Sequence, residues 1–106
     1  MNVIAWLIFV VAALLEVGGD AVVRRGLRGG SAAFVAAGFV ALGCYGLVVN
    51  SVKWDFSRLI GVYVGFFALT SVLVGRFVFE EAIPLSTWAG LVLIIAGGMV
   101  IQFGTR

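Results

Sequence analysis

The sequence predicts an all-α integral membrane protein: four transmembrane helices packed as one small bundle spanning residues 1–106. Three observations carry this prediction. Hydrophobic residues fill 63% of the 106 positions and charged residues only 11%, with a mean hydropathy of +1.22, whereas a soluble domain is roughly a quarter charged. The apolar residues fall into four runs close to the ~20-residue length that crosses a bilayer. Trp6, Trp54 and Trp88 stand near the ends of those runs or in a connection, where tryptophan anchors at the membrane interface.

The first span is expected over 3–23, closed by Arg24 and Arg25, with Arg28, Gly29, Gly30 and Ser31 as a loop. The second is expected over 32–52, followed by a connection from Lys53 through Trp54, Asp55, Phe56 and Ser57 to Arg58. The third is expected over 59–79 and carries Arg76 near its end; Glu80 and Glu81 mark a tight turn. Pro84, which suits a helix start, opens the fourth, expected over 85–103. Strands of a membrane barrel are the alternative, but they alternate apolar with polar over about ten residues, and these runs do not alternate. The first run also lacks the basic leading region of a signal peptide and is interrupted by Glu16 and Asp20.

Composition removes several classes of function. The chain has one cysteine, Cys44, so an internal disulfide is excluded, and no histidine, the commonest ligand of zinc and haem. A net charge of +2, with basic residues scattered around apolar runs, does not suggest nucleic acid. No enzyme chemistry, cofactor or metal is expected. The expected location is the cell inner membrane, in multi-pass form.

With four spans both termini share one face. That face carries Lys53, Arg58 and Arg106, against Arg24, Arg25, Arg28 and Arg76 on the other. Arginine and lysine counts in short loops set orientation. Three against four is nearly a tie, and it predicts weak orientation or insertion both ways; the alternative is a modest preference for a cytoplasmic first loop.

Glu16 is the strongest candidate for chemistry. It lies roughly 4–5 Å from the expected midplane, taking 1.5 Å per residue. A carboxylate at that depth is costly and has to face protein, water or a cation. Desolvation disfavours its charged form, so a cation arriving beside it exchanges for its proton. The structural alternative is a glutamate hydrogen-bonded to neighbouring helices. Asp20 and Arg24 continue the same face at i+4 and i+8. Asp20, nearer the interface, is expected to have an access or structural role, with a second binding carboxylate as the alternative. Arg76 is expected to snorkel, with Glu80 one turn away as partner. Tyr45 in the second span, and Tyr63, Thr70 and Ser71 in the third, add polar atoms. Gly61 and Gly65, four apart, permit close packing or a bend.

The whole chain resembles the small multidrug resistance superfamily. The resemblance rests on Ala-Leu-Leu-Glu-Val-Gly at Ala13–Gly18, on Tyr63 and Gly65 in the third span, and most specifically on Gly90-Leu-Val-Leu-Ile-Ile-Ala-Gly-Gly98 in the fourth. The stretch from Arg58 to Gly90, with Tyr63, Gly65, Arg76 and Trp88, also resembles the YnfA-like branch. The resemblance implies an antiparallel homodimer that exports small cations against protons. It implies that Glu16 binds both proton and substrate, that Tyr63 is a site aromatic, and that Gly61 and Gly65 form a flexible part of the third helix. Gly90, Ala96, Gly97 and Gly98 would supply the dimer contact. Two departures stand out. Drug exporters of this kind usually have tryptophan where this chain has Tyr63, and guanidinium exporters carry a tryptophan one turn after the glutamate, at Gly19 here.

The expected function is therefore proton-coupled export of a small organic cation, with the bilayer, protons and a second copy of the chain as partners. The alternatives are a flippase or transporter component for a polar lipid or metabolite, and a membrane scaffold that transports nothing. A further expectation concerns depth. Counted from the span centres, Glu16 and Tyr45 are offset within one chain, and inverting a second chain brings the partner's Tyr45 and Tyr63 level with Glu16.

Overall fold

The computed structural model describes residues 3–104; Arg106, counted in the charge balance, lies outside them. These residues form four α-helices and no strand: α1 (Val3–Gly29), α2 (Ala32–Val49), α3 (Phe56–Phe77) and α4 (Leu85–Phe103). Each is long and apolar enough to cross a membrane. The chain is an all-α, multi-pass membrane protein, as its composition predicts.

Helix α1 runs six residues past the expected end at 23, through all three arginines. The arginines end the apolar run but not the helix, because arginine is a good helix former and Arg28, in the last turn, complements the helix dipole. The helix stops where glycine allows it. Gly30 takes a left-handed φ of 69°, and the Ser31 N–H donates back to the Gly26 carbonyl at 2.8 Å, the long closing bond of a Schellman cap. Ser31 then caps α2, its hydroxyl accepting from the Phe34 N–H at 3.2 Å. Two residues thus reverse the chain between two helices.

α1 and α2 pack through glycine. A Cβ on Gly19 would sit 3.0 Å from Leu42 Cγ and 3.1 Å from the Gly38 carbonyl oxygen; one on Gly26 would sit 2.8 Å from the Val35 nitrogen; one on Gly38 would press into the Val23 side chain. Small residues let helix backbones approach in lipid, where no hydrophobic force drives them together. Gly19, so placed, has no room for the tryptophan that guanidinium exporters carry there.

α2 ends at Val49, short of the expected 52, because polar side chains compete for its last carbonyls. The Asn50 amide donates to Gly46 O at 2.8 Å and the Ser51 hydroxyl to Val48 O at 2.6 Å. α3 starts at Phe56, three residues earlier than expected, with the Leu59 N–H on the Asp55 carbonyl at 2.8 Å. It ends at Phe77, not 79: the Val78 and Phe79 N–H groups share the Val74 carbonyl, and Glu80 takes a left-handed φ of 56°. Arg76 lies over the Phe77 ring, 5.5 Å from its centroid. Glu80 has left the helix, so the helical pairing expected for Arg76 does not form. Pro84, extended, caps α4, which occupies 85–103 as expected.

Contacts gather the chain into two helix hairpins, α1 with α2 and α3 with α4. In the second, Gly98 approaches the Gly61 carbonyl oxygen at 3.6 Å, counted from an added Cβ, and Gly65 approaches Ile95 at 3.9 Å. Phe39, Val40, Leu47, Val92, Leu93 and Val100 point outward. A surface so apolar belongs in lipid.

Candidate functional site

Glu16 sits at the midpoint of α1, half-buried beside the buried Ala12, Ala13, Val17 and Gly19. The glycine seam sets what faces it. Gly19 meets Leu42, Val23 meets Gly38 and Gly26 meets Val35. Each pair sums to 61, and that antiparallel register brings residue 16 level with residue 45. Accordingly, the Glu16 charge is near enough to be felt at the Tyr45 hydroxyl of α2, and both side chains are half-buried.

This corrects the depth expected from span centres. Those centres assumed that α1 ends at 23 and that the two helices are level at residues 13 and 42. Because α1 continues to Gly29 and turns in two residues, α2 is staggered along it, and Glu16 meets Tyr45 of its own chain. No inverted partner is required to bring that tyrosine to the carboxylate.

Asp20 and Arg24 are both exposed, one and two turns beyond Glu16. Tyr63 is buried in α3, 2% exposed. Ser71, half-buried, donates its hydroxyl to the Ala68 carbonyl at 2.8 Å, and Thr70 donates to Phe66 O at 2.8 Å. Their protons are therefore used within their own helix. α3 is continuous through Gly61 and Gly65; Gly61 takes Ile101 of α4 against it, 2.6 Å from an added Cβ. The fourth-helix motif divides in two. Gly98 is buried against the backbone of Gly61 and Val62, whereas a Cβ on Gly90 or Gly97 would meet nothing within 4 Å, and Ala96 is exposed. Gly98 is thus used inside the chain, and Gly90, Ala96 and Gly97 remain open on the surface of the hairpin.

One cluster was missed in the sequence. The Arg58 guanidinium donates from Nη2 to Gln102 Oε1 at 2.8 Å and lies 4.1 Å from the Trp54 ring centroid. The signal was available: an arginine in the first turn of one span and a glutamine in the last turn of the next meet whenever the two helices are antiparallel.

The family described as "Uncharacterised BCR, YnfA/UPF0060 family" matches residues 2–106. The chain belongs to the YnfA/UPF0060 family. Among its relatives, a UPF0060 membrane protein of Mycobacterium marinum is 35% identical over 103 residues, covering 94% of this chain and 93% of that protein. A UPF0060 membrane protein of Synechocystis is 29% identical over 101 residues, covering 94% of each. A third, from Halalkalibacterium halodurans, is 29% identical over 106 residues, covering 98% of each. No solved structure matches the chain.

In this YnfA/UPF0060 protein the chemistry open to the first hairpin follows from its parts. A half-buried carboxylate beside a phenol can hold a proton, or exchange it for a cation that the carboxylate binds and the ring faces. The phenol supplies a hydrogen-bond donor to the charged form.

Proposed function

We propose that this YnfA/UPF0060 protein is a proton-coupled antiporter of the small multidrug resistance type. It exports a small organic cation across the inner membrane, as an antiparallel homodimer of two inverted copies. The observation that carries this reading is Glu16 at the middle of a spanning helix, acting on Tyr45 across the glycine seam. A carboxylate at that depth is costly and marks an ion or substrate path. Packing alone does not call for it. In each cycle Glu16 gives up its proton as the cation binds and takes one back as the cation leaves. The resemblance to the small multidrug resistance superfamily implies Tyr63 as a further aromatic for the substrate.

The test is transport by purified protein in liposomes with an imposed pH gradient, against a panel running from guanidinium to bulky quaternary ammonium ions. At least one cation should move against the proton gradient, and its addition to protein in detergent should release protons. A panel that moves nothing and releases no proton overturns the reading.

The dimer gives a separate expectation. Gly90 and Gly97 lie seven apart, on one stripe of α4, with open space beside them. Gly97→Leu should reduce crosslinked dimer in membranes while leaving the α3·α4 hairpin intact. Gly98→Leu, which fills the space against Gly61 and Val62, should destabilise the monomer itself. A Gly97→Leu protein that crosslinks like the parent would place the dimer contact elsewhere.

A further inference from the structure

The Arg58 cluster opens on a cleft of about 370 Å³ lined by Asp55, Ser57, Arg58 and Ile101. That volume is near the lower end of the roughly 300–1,000 Å³ that small ligands occupy. Its position is fixed by the antiparallel hairpin: the start of α3 and the end of α4 lie at one level, with Trp54 beside them. A tryptophan at the end of a span marks the headgroup layer. The cleft therefore faces phospholipid headgroups.

Its lining carries both signs of charge. Arg58 is pre-positioned, one face against Trp54 and Nη2 tied to Gln102, and its Nε is buried with no hydrogen-bond partner. A guanidinium held in this way has lost part of its hydration and gains from an anionic oxygen. The Ser57 hydroxyl adds a second donor. Asp55 lines the same cleft and brings an acceptor with negative charge to it. Ile101 provides an apolar wall that continues along α4 into the membrane.

We infer that this cleft binds one phospholipid with a primary-ammonium headgroup, its phosphate on Arg58 and Ser57, its ammonium on Asp55 and its acyl chain along Ile101. A choline headgroup keeps the positive charge but has no N–H to donate to Asp55. A glycerol headgroup keeps the phosphate but lacks the cation. The lipid ties the ends of α3 and α4 together at the membrane surface, in the hairpin that does not contain Glu16.

The test is native mass spectrometry of the full chain in detergent, titrated with phosphatidylethanolamine, phosphatidylcholine and phosphatidylglycerol of identical acyl chains. The parent protein should retain phosphatidylethanolamine about tenfold more strongly than either other lipid, the value of one hydrogen bond between charged groups. Asp55→Asn should erase that preference, and Arg58→Gln should lower retention of all three. The preference is a ratio within one preparation, so partial loss of folded protein does not alter it. Equal retention by the parent, a preference unchanged in Asp55→Asn, or retention unchanged in Arg58→Gln overturns the site. The readout is binding, so it stands or falls separately from transport.

Discussion

Glu16→Gln is expected to abolish both cation transport and substrate-coupled proton release, with a loss of at least about a hundredfold. The amide has nearly the same shape and fills the same place beside Tyr45, but it can neither release a proton nor carry the charge that holds a cation. General acid–base participation alone is worth about 10²–10⁴-fold, and in the proposed cycle the same group supplies both proton and binding charge. Tyr45→Phe is a milder change. It keeps the ring and removes the hydroxyl that Glu16 acts upon, so proton release should persist with an altered pH profile. The two measurements separate roles: transport surviving in Glu16→Gln would remove the carboxylate from the mechanism, and an unchanged profile in Tyr45→Phe would remove the tyrosine. Circular dichroism and dimer crosslinking should match the parent in both variants.

The second large effect concerns the first hairpin. Gly38→Val should destabilise the protein by about 1–3 kcal/mol or more, the usual cost of overpacking. Its first added carbon already meets Val23 and lies 2.8 Å from the Gly19 carbonyl oxygen, so the two backbones have to separate. Gly18→Ala is the matched control. Nothing lies within 4 Å of its added carbon, and alanine is a better helix former than glycine by about 1 kcal/mol, so stability should hold or rise. Unfolding in mixed micelles by increasing sodium dodecyl sulfate gives both values. A Gly38→Val protein as stable as the parent would show that α1 and α2 do not depend on this close approach. Because the seam sets the register, loss of Gly38 should also weaken the effect of Tyr45 on Glu16.

The fold was legible because lipid imposes a simple rule: twenty apolar residues in a row have few other uses. Helix α4 matched its expected limits, since Pro84 opens it sharply. α1 was misjudged at Arg24 because hydropathy reports where lipid stops, whereas backbone hydrogen bonding continues until Gly30 permits the chain to turn. The candidate carboxylate was legible from its depth alone. Its neighbour was not, since which tyrosine it meets depends on the stagger of two helices, and a shift of nearly two turns, about 9 Å, separates an intramolecular pair from an apparently intermolecular one. The glycines were similarly ambiguous. Gly98 belongs to a motif associated with dimers, yet in this chain it lies against Gly61, while Gly97 beside it is open. Sequence spacing identifies which residues share a stripe, but not which of two neighbouring stripes faces its own chain.

The length of α1 has a mechanical consequence. Twenty-seven residues make a rod of about 40 Å, which exceeds the hydrocarbon layer of roughly 30 Å. The excess emerges at the end that carries Arg24, Arg25 and Arg28, and those groups hold it in the headgroup layer. The rod cannot sink without drawing three arginines into lipid, nor rise without wetting its apolar body. Its freedom is to tilt. In a thinner bilayer it leans further and in a thicker one it straightens, while the arginine collar keeps its place. Glu16, halfway along, is carried by that lean, so bilayer thickness sets the depth at which the carboxylate lies.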